Sequence, residues 1–254
     1  MFTITVNTIR ELIRNKFFSL ILFLWVIFLC MSYALETLAL GQLERVLYDF
    51  GLSFIELTGL AVILFLWGGM IAREIEWRTI FLMLSKPVSR SSIFIGKFLG
   101  FALVVIAMVG FQTFLLIGLL LFKWFVLDVL LFPAVVGILL KLFALLAIIL
   151  FFSTFVSPMI AMFLTIASYI IGHGWYDMLD YARWEASPQA LYMGRALLVL
   201  FPNLEALNLK NYIATGAPID LSVWYTWYWV WVFYIITLLI LGAWIFSRKS
   251  FDNA

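Results

Sequence analysis

Long apolar runs separated by short polar stretches dominate the chain. A helix needs about 20 mostly apolar residues to cross roughly 30 Å of hydrocarbon, and charged residues between such runs mark loops. Ser157 and Pro158 interrupt a nearly continuous apolar stretch. The pattern predicts an all-α integral membrane protein, a single domain over residues 1–254. Its six predicted transmembrane helices are 17–35, 51–72, 96–122, 131–156, 158–175 and 223–246.

Three other segments complete the predicted architecture. Residues 1–16 alternate apolar and basic side chains at helical spacing, which predicts an interfacial amphipathic (elbow) helix. Residues 73–95 form a cytoplasmic loop and residues 173–222 an external loop. Within the external loop, Ser187-Pro188 is a helix-start signal and Pro202 a stop signal. We therefore expect a short helix there, at the outer leaflet.

The positions of lysine and arginine predict the orientation, because basic residues near span ends are retained in the cytoplasm. With both termini inside, ten basic residues fall in cytoplasmic segments and five, among them Lys210, in external ones. Tryptophan and tyrosine favour membrane interfaces, and five of them crowd positions 224–229 at the start of the sixth span. We expect an N-in, C-in topology.

Composition agrees with a lipid environment. Hydrophobic residues make up 66% of the 254 positions and charged residues 12%, whereas soluble domains carry about 25% charged residues. So few charges cannot cover a water-facing surface, so lipid must solvate the rest. A net charge of +2 gives no reason to expect nucleic acid as a partner, and the single Cys30 excludes an internal disulfide.

Catalytic signatures are missing from the sequence. There is no G-x-x-x-x-G-K-[ST] phosphate loop, since Gly96-Lys97-Phe98 lacks the upstream glycine and the hydroxyl. The lone His173 cannot build a multi-histidine zinc site, and we interpret it as an interfacial helix end. The nine methionines are interpreted as packing residues rather than copper ligands. We expect no catalytic residue, cofactor or metal in this chain, which is then not itself an enzyme.

Three polar residues inside the predicted spans, Glu56, Gln112 and Lys141, are candidate cavity-lining residues. A charge at the bilayer centre costs at least about 2.5 kcal/mol and is usually paired or facing water. Helical rise puts all three in the outer half of the membrane. One interpretation is a Glu56–Lys141 pair beside Gln112 that lines a water-filled cavity. The other is that Glu56 reaches outward to the headgroups while Lys141 is paired elsewhere in the bundle.

A longer motif lies in the cytoplasmic loop. Residues 71–90 read IAREIEWRTIFLMLSKPVSR and are followed by Gly96-Lys97. This run resembles the segment after the second span in permeases of ABC type-2 exporters, with Arg78 where that family usually has glycine. Residues 201–210, FPNLEALNLK, look like the external segment of the branch that includes the nitrous-oxide-reductase maturation permease. The ending FSRKSF, 246–251, is similar to the family's basic tail.

The resemblance implies a half-transporter: two six-span permease subunits, copies or paralogues, and two cytoplasmic ABC ATPase subunits that bind ATP and Mg. It implies an exporter in the cytoplasmic (inner) membrane of a prokaryote. It also implies that the loop after the second span docks on the ATPase, with the coupling candidates Glu74, Glu76, Arg78, Thr79, Ser85, Lys86, Pro87 and Arg90.

Two other functions stay open at this stage. One is an ion-coupled secondary carrier that uses Glu56 and Lys141. The other is an ATP-driven assembly factor that passes motion through residues 173–222 to an external, periplasmic partner protein.

Overall fold

The computed structural model of the chain describes residues 5, 23–30, 42–76, 90–174, 180, 184, 192, 202–215 and 221–248. At 66–76, 90, 211, 214, 215, 221 and 223 the description covers the backbone alone. These ranges are helical and contain no strand. The α-helices with defined bounds are α1 (Leu43–Glu76), α2 (Arg90–Phe122), α3 (Leu131–Phe152), α4 (Pro158–His173), α5 (Lys210–Thr215) and α6 (Leu221–Arg248).

Long apolar helices confirm the prediction of an all-helical membrane protein. Among the described residues, the stretches long and apolar enough to cross a membrane are Leu43–Phe65, Ser91–Phe122, Leu131–Phe152 and Trp224–Arg248. The fifth predicted span is the apolar but shorter helix α4. The first predicted span is described over 23–30, which is helical. The count of six spans and the orientation stay predictions.

The predicted elbow helix, 1–16, lies outside the described residues except for Thr5. Thr5 is helical and buried, and its hydroxyl donates to the carbonyl oxygen of Gly96 at 3.3 Å. Thr5 therefore contacts the second turn of α2.

Helix α2 ends in a Schellman motif. The amide of Trp124 donates to the carbonyl of Leu121 at 3.0 Å, and the amide of Phe125 donates to that of Leu120 at 3.1 Å. Trp124 itself has a φ of 62°, the left-handed conformation that costs a non-glycine residue about 1–2 kcal/mol. The motif presents the Trp124 ring, 93% exposed, beside the apolar loop that leads to α3.

The break between the fourth and fifth predicted spans is confirmed. Helix α3 ends at Phe152, and α4 begins at Pro158 after Ser157, which has an extended backbone with ψ of 154°. Proline restricts the residue before it to extended conformations and suits the first helical turn, where its missing N–H costs nothing. One apolar run is therefore divided into two helices.

Helix α3 is the centre of the bundle and packs against α1, α2, α4 and α6. A continuous run of its side chains, 144–150, is buried. The other helices expose large apolar side chains outward, including Phe114 on α2 and Phe233 on α6. Water would not tolerate such a surface over a whole bundle, whereas lipid tails solvate it.

Helices α1 and α2 are longer than a bilayer core requires. They contain 34 and 33 residues, which correspond to about 50 Å each. The hydrocarbon core is roughly 30 Å thick. Each helix is therefore longer than the hydrocarbon core is thick. The two helices also pack against each other. They flank the predicted cytoplasmic loop, of which residues 77–89 lie outside the described residues.

Residues 202–215, which we call the cap, fold back onto the bundle. A 3-10 turn, Leu204–Leu207, starts the cap, and the side chain of Asn203 accepts a hydrogen bond from the Ala206 amide at 3.1 Å. Helix α5 then packs against α1. The apolar side chains of Leu204, Leu207 and Leu209 are at most 1% exposed. Of the short helix predicted for 187–201, only Tyr192 lies among the described residues.

Candidate functional site

Four elements meet at one buried carboxylate, that of Glu56 on α1. Lys141 on α3 places its ammonium 3.1 Å from Oε1 and 3.3 Å from Oε2. The Nε2 atom of His173, the last residue of α4, lies 2.9 Å from Oε1. The ammonium of Lys210, the first residue of α5 in the cap, lies 2.8 Å from Oε2. We call these four residues the ion cluster.

Burial makes the pairing obligatory for two members of the ion cluster. The side chains of Glu56 and Lys141 are 1% and 0% exposed. Removing one partner of a buried pair costs about 3–5 kcal/mol, because the remaining charge is left without compensation. Lys210 is 12% exposed and His173 23% exposed, so these two can reach water.

The His173 ring is oriented by its own helix. Nδ1 lies 3.2 Å from the carbonyl oxygen of Tyr169, one turn earlier, and the two rings are 4.4 Å apart. Nε2 is thereby directed at Glu56 and also lies 3.4 Å from the Lys141 ammonium. Because Nδ1 donates to the carbonyl oxygen, Nε2 donates to Glu56 only when both ring nitrogens carry a proton. His173 is a helix end, as expected, and also a member of the ion cluster, which the sequence did not indicate.

Gln112 belongs to a separate contact. Its Nε2 donates to the hydroxyl of Thr58 at 3.0 Å, and both side chains are buried. Thr58 also bonds the carbonyl of Phe54 on its own helix at 2.7 Å. Residues two positions apart on a helix point about 200° apart, so Thr58 and Glu56 serve different faces of α1. Glu56 pairs with Lys141 on one face, while Gln112 ties α2 to the other.

The structure thus brings Glu56 and Lys141 together and places Gln112 apart from them. Glu56 is not directed to the headgroups, because its side chain is only 1% exposed. A water-filled cavity lined by these residues stays a prediction.

The predicted coupling residues fall largely outside the described part of the chain. Arg78, Thr79, Ser85, Lys86 and Pro87 lie outside it. The remaining three lie at helix ends where only the backbone is described: Glu74 and Glu76 in the last turn of α1, and Arg90 as the first residue of α2. Their predicted role is untested.

Two glycines form the seat on which the cap rests. A Cβ atom at Gly137 on α3 would lie 2.7 Å from the carbonyl oxygen of Leu207. A Cβ atom at Gly172 on α4 would lie 2.7 Å from the carbonyl oxygen of Pro202. Real side chains do not tolerate such distances, so the absence of a side chain lets the cap backbone approach both helices. These two positions bring Lys210 within reach of Glu56.

The geometry supports a charged joint rather than a reaction centre. Three donors surround a carboxylate, and each belongs to a different element of the fold. Such an arrangement fixes the relative positions of α1, α3, α4 and the cap. Because both Lys141 and Lys210 contact Glu56, one of them can leave while the carboxylate still has a positively charged partner.

Comparison with known proteins agrees with this architecture. A family profile described as ABC-2 family transporter protein matches residues 3–251, almost the whole chain. No curated protein matches the sequence significantly. The match covers the predicted elbow helix, the α1–α2 pair, the ion cluster and the last helix in one continuous alignment. The chain therefore belongs to the ABC-2 family of transporter proteins and is a multi-pass transmembrane subunit of that family.

Proposed function

We propose that this chain is the membrane subunit of an ABC exporter in the cytoplasmic membrane of a prokaryote, moved by a separate cytoplasmic ATPase. The observation that carries the proposal is the family match over residues 3–251. Proteins of this kind generally work with an ATPase partner, and the sequence has no phosphate loop of its own. ATP and Mg belong to the partner, and a second permease copy or paralogue completes the transporter.

The topology of the proposal follows the basic residues and the long helices. We infer six spans with both termini inside and an elbow helix at 1–16. In this orientation α1 and α2 extend into the cytoplasm, and the loop between them meets the ATPase. Glu76 and Arg90 stand at the two ends of that loop and supply charges of both signs for recognition.

Helix α1 supplies a mechanical link between the two sides. Glu56 and Glu76 are 20 positions apart on this continuous helix, which corresponds to about 30 Å. A movement imposed at Glu76 therefore displaces Glu56 and the elements bonded to it. This is rigid-element coupling of the kind that domain closures use.

Charge reversal at the loop ends tests the coupling. Glu76→Lys and Arg90→Glu are each expected to abolish co-purification of an ABC ATPase with this chain. The matched control is Glu44→Lys, at the opposite end of the same helix, which should retain the ATPase. Monodisperse elution in detergent would show that each variant is folded. Retention of the ATPase by both loop variants would contradict the assigned docking residues.

A second function is favoured by the contact between the cap and α1. The cap belongs to the external segment, and its Lys210 bonds Glu56. ATP-driven motion of α1 would thus reach the external side, as an assembly factor for a periplasmic partner requires. The resemblance of 201–210 to the nitrous-oxide-reductase maturation branch belongs to this alternative. Capture of one soluble external protein, lost when residues 184–195 are replaced by a glycine-serine linker, would support it over export.

An ion-coupled carrier is separated from both by its energy source. Such a carrier would move substrate under a proton gradient in vesicles that contain this chain and no ATPase. The exporter and the assembly factor both require ATP hydrolysis.

A further inference from the structure

Lys210 ties the cap to the bundle through a bond that can open without leaving Glu56 alone. Glu56 also contacts Lys141 at 3.1 Å and His173 at 2.9 Å, and neither contact involves Lys210. Lys210 lies at the edge of the ion cluster and is 12% exposed, whereas Lys141 is 0% exposed. The carboxylate at the centre of the bundle therefore stays paired in both states.

The distribution of charge also permits separation. The cap, 202–215, contains one cation, Lys210, and one carboxylate, Glu205. The Oε1 atom of Glu205 accepts a bond from the side chain of Asn208 within the cap at 2.8 Å. On the bundle side, Glu56 and Lys141 likewise form one neutral pair. Lifting the cap thus separates two units in each of which one lysine is balanced by one carboxylate, which avoids the cost of an isolated charge in an apolar medium.

The remaining contacts of the cap are short-range and apolar. Leu204, Leu207 and Leu209 are buried against the bundle, and the seat glycines accept backbone rather than bulky side chains. The cap binds or leaves the bundle as a unit, because the carbonyl oxygens of Leu207 and Pro202 must reach Gly137 and Gly172 at the same time. The cap therefore has the properties of a two-state element rather than of a deformable loop.

We propose that the cap is detachable, that Lys210 is the positioning residue that holds it, and that its release opens the bundle above Glu56. Lys141 is the counterpart that makes release possible, because it keeps Glu56 paired. The coupling of release to ATP hydrolysis rests on the proposed function, through the movement of α1, whereas detachment itself does not.

The proposal makes opposite predictions for the two lysines. Replacing Lys210 by methionine keeps the aliphatic stem and removes the tie, so the open population should rise. Replacing Lys141 by methionine leaves Lys210 as the only lysine on Glu56, so lifting the cap would remove the last ammonium. The open population should then fall. A merely structural role would loosen the cap in both variants.

Cysteine accessibility measures the open population. Ala206 in the cap is 6% exposed and differs from cysteine by one atom, so Ala206→Cys is introduced after the native Cys30 is replaced by serine. The complex in nanodiscs is treated with a membrane-impermeant maleimide. The rate of labelling is proportional to the open population when closing is faster than reaction. Val126→Cys, at an 82% exposed position of another loop, gives the rate for free access.

Lys210→Met should raise the labelling rate at residue 206 by about tenfold or more, the size expected for a charge-assisted hydrogen bond. Lys141→Met should lower it, and Lys210→Arg should restore the slow rate. The matched control is Lys123→Met in the 123–130 loop, which should change nothing. Equal rates for the parent and Lys210→Met, or a rise in both lysine variants, would overturn the proposal. A slow labelling rate in Lys210→Arg would also show that the fast rate in Lys210→Met does not come from a folding defect.

Nucleotide separates this proposal from the proposed function. Faster labelling of the parent during ATP hydrolysis would support both. Opposite effects of the two lysine variants with no response to ATP would support the detachable cap and count against ATP-driven movement of α1.

Discussion

Replacing Glu56 by glutamine is the most informative perturbation of the ion cluster. The change keeps the shape of the side chain but turns one acceptor oxygen into an NH₂ donor, which then faces the donors already present. Lys141, with 0% of its side chain exposed, loses the carboxylate that it contacts among the described residues. An uncompensated buried charge costs about 3–5 kcal/mol, so we expect Glu56→Gln to lower the free energy of unfolding by that amount.

The double variant decides whether the loss comes from the stranded lysine. Lys141→Met removes the buried ammonium and fills its volume with an apolar chain. Because replacing a whole buried pair is often nearly neutral, Glu56→Gln combined with Lys141→Met should be more stable than Glu56→Gln alone by about 2 kcal/mol or more. Lys210 does not affect the comparison of the single and double variants, because its partly exposed side chain can turn away from residue 56.

Unfolding by sodium dodecyl sulfate, followed by the loss of helical circular dichroism, measures these differences. Glu44→Gln, a half-buried acid on the same helix, is the control and should change stability by less than about 0.5 kcal/mol. Effects that add within about 0.5 kcal/mol would mean that the two residues are energetically independent. That result would refute the pairing and with it the account of the ion cluster.

Two further predictions concern the packing around the ion cluster. Gly137→Ala should push the cap off α3, because the added Cβ lies 2.7 Å from the Leu207 carbonyl oxygen; a loss of about 1–3 kcal/mol is expected in the same unfolding assay. Gly110→Ala, where nothing lies within 4 Å, should cause no such loss, and equal effects would contradict the glycine seat. Thr58→Val should cost about 1–3 kcal/mol by leaving the buried Gln112 amide unsatisfied, and Gln112→Leu in that background should recover part of the loss; no recovery would mean that this bond does not join α1 to α2.

The sequence predicts the apolar helices well because their signal is long and redundant. The end at Phe122 and the starts at Leu131 and Pro158 agree with the structure. Helices α1 and α2 both begin earlier than the predicted spans, at Leu43 and Arg90 rather than at positions 51 and 96. Residues 43–50 of α1 include Glu44, Arg45 and Asp49. Because of these charges, the predicted span starts later than the helix does. Helical geometry continues where apolar character stops.

The candidate site was only half accessible to sequence reasoning. Equal depth brought Glu56 and Lys141 together as candidates, since an intramembrane charge demands a partner. Lys210 gave no such signal, because a lysine in an external loop ordinarily only enforces topology. The role of Lys210 depends on the close approach of the cap backbone to Gly137 and Gly172. Nothing in the sequence distinguishes these two glycines from the other 13. Tertiary approach, not local pattern, decides such a contact.

The central claim is that this chain is moved by ATP hydrolysed in another subunit. Its most direct test is to reconstitute the chain with an ABC ATPase that co-purifies with it and to measure, in the same nanodiscs, ATP hydrolysis and maleimide labelling of Ala206→Cys in the Cys30→Ser background. The account predicts labelling that accelerates only during hydrolysis and loses that response in Glu76→Lys. Labelling that is identical with and without the ATPase would contradict it.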